Sequence, residues 1–157
     1  MIDLAHLRDE IVRPVLVELG LHSDAAEALL LGTAVQESGL VWLRQLGGGP
    51  ALGIYQMEPA THDDIWANYL AYRDELADKV ARLAAPWPDR HRQLVTNLAY
   101  ATAMARIHYR RVPAALPAAG DVGGLAAYWK NHYNTAQGAG TVAEFAEKYR
   151  HQVLATA

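Results

Sequence analysis

The sequence from Ser23 to Trp42, SDAAEALLLGTAVQESGLVW, predicts a helix around which the rest of the chain is organised. Ser23 is a favourable N-cap residue, and Asp24 and Glu27 place negative charge in the first turns, where the helix dipole favours it. One face of this helix carries residues three or four positions apart, namely Leu30, Thr33, Ala34, Glu37 and Val41. This mostly apolar face is expected to pack in the core, with Glu37 near its C-terminal end.

Glu37 is the most informative position, because a carboxyl group on a core-facing helix surface is partly withdrawn from water. Apolar surroundings penalise the ionised form and so raise the pKa of a carboxyl group. A carboxylic acid that is still protonated near neutral pH can donate its proton to a leaving group. Two simpler interpretations stay open: a glutamate at a helix end that turns to solvent, or a buried glutamate paired with Arg44.

Outward from this helix, the chain continues with helical spacing and has almost no alternating, strand-like runs. Pro14 interrupts the first helical segment, and Pro86-Trp87-Pro88 stops another. A glycine-rich stretch prevents a helix after residue 46, and residues 51–57 are the plausible material for a β-hairpin. The other predicted helices are residues 3–20, 60–83 (with one break), 90–111, 122–133 and 141–154. We therefore predict one mostly α-helical domain over residues 1–157.

Composition excludes several classes of protein. The 157-residue chain has no cysteine, which removes thiol nucleophiles, disulfide frameworks and cysteine-ligated metals. Its net charge is −3 without a Lys/Arg-rich run, which argues against a nucleic-acid partner. The N-terminus lacks the features of a signal peptide, and no apolar run is long enough for membrane insertion. Histidines such as His91, His108 and His132 are scattered and form no His-Glu-x-x-His motif, so we expect no metal and no cofactor.

Two further segments carry side chains suited to a polar, ring-shaped ligand. The chain has eight Tyr and four Trp but one Phe, and this excess of aromatic residues with a polar group favours a groove that binds such a ligand. Tyr55 and Gln56 lie in the predicted hairpin, where Gln56 can exchange hydrogen bonds with a sugar hydroxyl or acetamido group. Tyr133 and Asn134 end a predicted helix beside Gly138. Each segment also has a simpler interpretation, as a surface hairpin and as a helix C-terminus with Asn at its end.

Taken together, these segments resemble the goose-type lysozyme and soluble lytic transglycosylase family in order and spacing, over about residues 24–150. Glu37-Ser38 is similar to the family's Glu-Ser motif. The other matches are Gly53-Ile54-Tyr55-Gln56 with Pro59 and Thr61 (Gly-Leu-Met-Gln…Pro…Thr), Tyr133-Asn134-Thr135 with Gly138 (Ala-Tyr-Asn-Ala-Gly), and the late aromatic residues Phe145 and Tyr149. The departures are residues 45–50 in place of Ser-x-x-Gly-Ala, Tyr55 in place of methionine, and His132 in place of alanine.

The resemblance implies a lysozyme-like helical fold with a short β-hairpin at the active-site cleft. It also implies cleavage of the β-1,4 bond between N-acetylmuramic acid and N-acetylglucosamine in peptidoglycan glycan strands, without a cofactor. Glu37 is then the general acid. The implied substrate-binding residues are Ser38, Tyr55, Gln56, Tyr133, Asn134 and Tyr149.

The second step of this reaction separates two kinds of enzyme. A muramidase generally needs a second carboxylate, about 5–5.5 Å away as a nucleophile or about 6.5–9.5 Å away as a base for water. In a lytic transglycosylase, a lone glutamate acts as acid and then as base while the sugar's own hydroxyl closes an anhydro ring. Glu58 is the candidate second carboxylate because it alternates with Gln56, whereas Asp63 and Asp64 suit the first turn of a helix. We favour the transglycosylase.

A function from another class is motivated by the acidic net charge, since a polyanionic wall suits a basic enzyme. This alternative is a catalytically inactive, lysozyme-like structural or wall-binding component of a virion. For either function, the absence of a signal peptide predicts delivery to the bacterial cell wall or periplasm by a virion, a holin or a secretion machine. A phage-type peptidoglycan-degrading domain fits these expectations.

Overall fold

The computed structural model describes residues 1–134 and 138–156, and this part of the chain is mostly helical, as predicted. Helix α1 has three contiguous segments, and the middle one is π-helical. None of the described helices is long and apolar enough to cross a membrane. The helices are α1 (Leu4–His6, Leu7–Val12 and Arg13–Glu18), α2 (Asp24–Ser38), α3 (Pro59–Asn68), α4 (Asp74–Leu83), α5 (Arg90–Thr96), α6 (Leu98–Arg110), α7 (Val122–His132) and α8 (Val142–Lys148).

Shorter helical turns complete the described structure. A 3-10 turn, Leu70–Tyr72, separates α3 from α4 and confirms the break predicted within residues 60–83. After α8 the chain continues through a π-helical turn, Tyr149–Val153, and a 3-10 turn, Leu154–Thr156. The two final helices predicted from the sequence are therefore present. The last one continues into a π-helical turn and then a 3-10 turn.

Helix α6 connects the two hydrophobic clusters of the core. Its Ala101, Ala105 and Tyr109 pack in the cluster that contains most of α2, α7 and α8. Its Tyr100 and Met104 pack in the second cluster, to which α1, α3, α4 and α5 also contribute buried residues. Because different faces of α6 pack in the two clusters, α6 determines how α2 and α7 are positioned relative to α3.

Helix α2 begins as predicted but ends earlier than Trp42. The Ser23 hydroxyl accepts a hydrogen bond from the Ala26 N–H at 3.0 Å, which is the expected N-cap. At the other end, Gly39 adopts a left-handed conformation (φ 57°) and its N–H donates to the Val35 carbonyl, which terminates the helix after Ser38. Glu37 is therefore in the last turn, and Trp42 belongs to the following loop.

The helix predicted over residues 90–111 is two helices, α5 and α6, and Asn97 is the reason. Its backbone is extended (φ −122°, ψ 96°), and its side-chain oxygen accepts from the Tyr100 N–H at 3.0 Å. Its amide nitrogen donates to the Leu83 carbonyl at 2.9 Å. An N-capping asparagine that also bonds to α4 stabilises a new helix start at this point.

Residues 51–57 form a tight turn, and the described part of the chain contains no strand. Leu52 and Met57 exchange two backbone hydrogen bonds of 3.0 and 3.1 Å, and Leu52 makes one further isolated bridge, to Arg44. Gly53 (φ 76°) and Gln56 (φ 48°) both take left-handed conformations, which are incompatible with extended strands. The expected short β-hairpin is therefore reduced to one bridged pair around this turn.

The turn predicts a large difference between two glycine substitutions. A Cβ at Gly53 would collide with the backbone carbonyl oxygen of Leu94, whereas a Cβ at Gly47, which also has a positive φ, would meet nothing within 4 Å. We expect Gly47→Ala to cost about 1 kcal/mol of backbone strain, and Gly53→Ala to cost about 3–5 kcal/mol because overpacking is added. Urea unfolding of both variants measures the difference, and equal losses would show that the turn does not pack against Leu94 as described.

Candidate active site

A cleft of about 560 Å³ opens between the end of α2, the turn at 51–57 and the end of α7. This volume is in the range of small-molecule sites. Both ends of the cleft are formed by loops, the segment after α2 and the segment after α7. The principal lining residues are Gln36, Glu37, Trp42, Arg44, Gln56, Glu58, Thr61, His108, Trp129, Tyr133, Asn134 and Glu144.

Glu37 lies in the wall of this cleft and its carboxyl group is held by Trp129. The indole N–H of Trp129 donates to Oε1 of Glu37 at 2.8 Å, and the Trp129 side chain is fully buried. Burial raises the pKa of Glu37 to about 7, although the Trp129 hydrogen bond and the nearby charge of Lys148 and Lys130 favour the ionised form. Near neutral pH a large fraction of Glu37 therefore carries the proton that an acid catalyst needs.

The two simpler interpretations of Glu37 do not describe its surroundings. The side chain is largely buried and hydrogen-bonded, so it does not turn to solvent. Arg44 also lines the cleft, but no salt bridge to Glu37 is found among residues 1–134 and 138–156. The partner of Glu37 is an uncharged indole, which leaves the carboxyl group free to be neutral.

Ser38 supports Glu37 from inside the helix and does not line the cleft. Its hydroxyl donates to the Ala34 carbonyl at 3.0 Å and accepts from the Leu40 N–H at 3.1 Å. The side chain is only 2% exposed. The expectation that Ser38 contacts substrate is therefore corrected: it stabilises the helix end at which Glu37 leaves the core.

Tyr55 is likewise buried, at 1% exposure, and its hydroxyl pairs with that of Thr102 at 3.0 Å. The structure places the Tyr55 ring in the core against α6 and not among the cleft-lining residues, which does not support the predicted contact of this ring with a ligand. The Tyr55 backbone carbonyl accepts from the Tyr133 hydroxyl at 2.6 Å. This hydrogen bond joins the turn at 51–57 to the end of α7.

Gln56, Tyr133 and Asn134 all line the cleft, as the sequence predicts. The Gln56 amide nitrogen donates to the Gly53 carbonyl at 2.9 Å, which orients the rest of the amide. The Asn134 side-chain oxygen accepts from the ammonium group of Lys130 at 3.0 Å. These three side chains surround Glu37 with polar groups, while Thr135 of the same motif lies outside the described residues.

Lys130 organises the loop that closes one side of the cleft, and sequence analysis did not identify it. Besides Asn134, its ammonium group donates to the backbone carbonyls of Gly138 (3.1 Å) and Gly140 (2.6 Å). Three acceptors match the three donors of a lysine ammonium group. The hydrogen bonds join residues on both sides of 135–137 to the last turn of α7.

Tyr149 packs behind the cleft, not in it. It is 3% exposed and stacks on Phe145, whose ring stacks on Trp129 with centroids 5.3 Å apart. A Cβ at Gly32 would collide with the Phe145 ring, so the glycine lets this stack reach α2. The expectation of a direct substrate contact by Tyr149 is corrected: the aromatic stack fixes the indole that binds Glu37.

Of the candidate second carboxylates, Glu58 lines the cleft and is exposed. Glu144 also lines the cleft, but its carboxylate accepts from the Thr141 N–H in the capping box of α8. Asp63 and Asp64 lie on α3 outside the cleft lining, where Asp64 bonds to Arg111 at 2.6 Å. Among the described lining residues, Glu37 is thus the carboxyl group most withdrawn from solvent, and it is half-buried.

The expectation of scattered histidines is wrong for His91, which shares Asp63 with His62. Oδ1 of Asp63 lies 2.9 Å from His62 Nδ1 and 2.7 Å from His91 Nε2, and the potential ligand atoms of the three residues lie within 4.8 Å of one another. The other His62 nitrogen bonds to the Tyr100 hydroxyl at 2.7 Å. Through these hydrogen bonds, the cluster connects α3, α5 and α6.

Comparisons of the chain with protein-family models, with curated proteins and with solved structures found no match.

The buried carboxyl group predicts a pH-dependent effect of Glu37→Gln on stability. The pKa of Glu37 is raised from 4.5 to about 7 in the folded protein, so its contribution to stability is lost as pH rises from about 4.5 through 7. Gln is neutral throughout and retains an oxygen for the Trp129 N–H. Relative to wild type, Glu37→Gln should therefore gain up to about 3 kcal/mol of unfolding free energy between pH 4 and pH 8.

Urea unfolding at a series of pH values measures this gain. Glu10→Gln, at an exposed position of α1, is the control and should show no such pH dependence. A stability difference between Glu37→Gln and wild type that stays constant from pH 4 to 8 would show that the folded state does not perturb the pKa of Glu37.

Proposed function

We propose that this chain is a peptidoglycan-degrading enzyme of lysozyme-like fold, in which Glu37 is the general acid and base. The observation that carries the proposal is a carboxyl group with a pKa of about 7, hydrogen-bonded to a buried indole in the wall of a cleft of about 560 Å³. A catalytic acid works best when its pKa is close to the working pH. The proposed substrate is the β-1,4 bond between N-acetylmuramic acid and N-acetylglucosamine.

In the first step, protonated Glu37 gives its proton to the glycosidic oxygen as the C1–O bond breaks. The departing N-acetylglucosamine keeps that proton on its 4-hydroxyl group, and the N-acetylmuramic acid ring passes through an oxocarbenium-like state. Glu37 is now a carboxylate. The Trp129 N–H, already 2.8 Å from Oε1, stabilises this charge without any rearrangement.

In the second step, the Glu37 carboxylate takes a proton from the nucleophile that attacks C1. If the nucleophile is the C6 hydroxyl of the same sugar, a 1,6-anhydro ring closes, and if it is water, a reducing end forms. Glu58 and Glu144, the other described carboxylates in the cleft lining, are exposed, and Glu144 is committed to a helix cap. A muramidase would use Glu58 as its second carboxylate, whereas the lytic transglycosylase that we favour needs Glu37 alone.

The proposed setting is the bacterial cell wall, reached with a virion or through a holin or secretion machine. The competing function is a catalytically inactive wall-binding component, which the net charge of −3 favours. Both functions place glycan strands in the same cleft. They differ in whether Glu37 transfers a proton, so activity and binding have to be measured separately.

Digestion of purified peptidoglycan tests the proposal. Wild type should release muropeptides, Glu37→Gln should release them at least about 10²–10⁴ times more slowly, and Glu10→Gln should match wild type. Mass spectrometry of the products distinguishes anhydro ends, which lack a water, from reducing ends. Release by Glu37→Gln at the wild-type rate would contradict catalysis by Glu37, and a wild type that binds the wall without releasing fragments would establish the inactive binding protein.

The pH profile tests the same acid independently. Because the reacting form is protonated, kcat/KM should fall as pH rises, with an apparent pKa of about 7. In Trp129→Phe, the aromatic stack is kept while the donor to Glu37 is lost, so this fall should move to higher pH. A profile that falls at the same pH in both proteins would show that the Trp129 hydrogen bond does not act on the catalytic group.

A further inference from the structure

His108 lies on α6 in the wall of the cleft, although sequence analysis assigned it no role there. Its ring packs edge-on against Tyr133 with centroids 4.9 Å apart. Tyr133 and Glu37 line the same cleft, and the charge of Glu37 adds to the effect of burial in raising the pKa of the Tyr133 hydroxyl. His108, Tyr133 and the candidate acid therefore lie in the wall of one cleft.

The hydrogen bond to Arg111 determines which nitrogen of His108 carries the proton. Nη2 of Arg111 lies 2.8 Å from Nδ1 of His108. A guanidinium group can only donate, so Nδ1 must accept and the hydrogen of the neutral ring must be on Nε2. Arg111 is held in turn by Asp64, with Nη1 2.6 Å from the carboxylate. The Asp64–Arg111 and Arg111–His108 contacts together thus fix the tautomer of His108.

The same contacts keep the ring uncharged. Burial and the adjacent positive charge of Arg111 lower the pKa of His108 to about 4, and the more distant Asp64 only partly opposes this. Nε2 is on the side of the ring away from Arg111, and no described residue accepts a hydrogen bond from it. His108 lines the cleft, and its remaining ring nitrogen is a neutral N–H group that can donate and cannot accept.

We propose that His108 is a ligand-binding residue that donates this N–H to the acetamido carbonyl oxygen of an N-acetylated sugar. The inference rests on the proposed function, because it assumes that the cleft holds a glycan. A carbonyl oxygen only accepts hydrogen bonds, so it complements a group that only donates, and neither partner is charged. Arg111 and Asp64 act as positioning residues that keep the ring in the required tautomer.

Oligosaccharide binding tests the ligand contact. The probes are the tetramer of β-1,4-linked N-acetylglucosamine and the same tetramer without its acetyl groups, measured by calorimetry. His108→Phe keeps the packing against Tyr133 and removes the donor, so it should weaken binding of the acetylated tetramer about five- to tenfold. Binding of the deacetylated tetramer should be unchanged, and His151→Phe, at an exposed position beyond α8, should bind both like wild type.

The outcomes separate the inference from the proposed function. If wild type binds neither tetramer, the glycan cleft is wrong and the inference falls with it. If wild type binds the acetylated tetramer and His108→Phe binds it equally well, the inference is wrong while the proposed function stands. An equal loss for both tetramers would also overturn the inference, because the contact would not involve the acetamido group.

The tautomer is tested without any ligand. In ¹⁵N-histidine-labelled protein, long-range ¹H–¹⁵N spectra should show His108 with its proton on Nε2 and no titration between pH 5.5 and 8. Asp64→Asn should weaken the hold on Arg111, so the spectrum should move towards a mixture of tautomers and the acetylated tetramer should bind more weakly. A wild-type His108 protonated on Nδ1, or one that titrates near pH 6.5, would overturn the inference.

Discussion

The hydrogen bond between the Trp129 indole and the Glu37 carboxyl group is the contact on which the site depends. It joins α7 to the last turn of α2 and holds a carboxyl group where burial raises its pKa to about 7. A fully buried carboxylate would be expensive, and an exposed one would be ionised. One neutral donor at 2.8 Å gives the intermediate situation, in which both protonation states are accessible.

The residues of the family-like motifs divide into two groups with different roles. Gln56, Tyr133 and Asn134 lie in the cleft wall beside Glu37. The others hold this wall in place from the core: Ser38 stabilises the end of α2, Tyr55 anchors the turn to α6, and Tyr149 supports the stack behind Trp129. This division explains how side chains withdrawn from the cleft can still determine its geometry.

Features encoded by short-range patterns were predictable, and those set by distant contacts were not. The start of α2 follows from Ser23, and Glu37 from its position on the apolar face, since both depend on a few neighbouring residues. Two helix boundaries also had local signals: a C-terminal glycine at Gly39, where α2 ends, and an N-capping asparagine at Asn97, where α6 begins. The prediction missed both because it gave more weight to the helical spacing of the apolar residues. The predicted hairpin did not form as a strand pair, and its Tyr55 side chain is buried in the core and not in the cleft, although Gln56 and Glu58 both line the cleft as expected. The partner of Glu37 is 92 residues away, so no sequence pattern indicated it.

The titration of Glu37 tests most directly whether this carboxyl group is a proton donor at neutral pH. The side-chain carboxyl carbons of ¹³C-glutamate-labelled protein can be followed by NMR from pH 3 to 9, with the Glu37 signal assigned by its loss in Glu37→Gln. We predict a midpoint near pH 7. A midpoint near 4.5, that of an ordinary glutamate, would contradict the account.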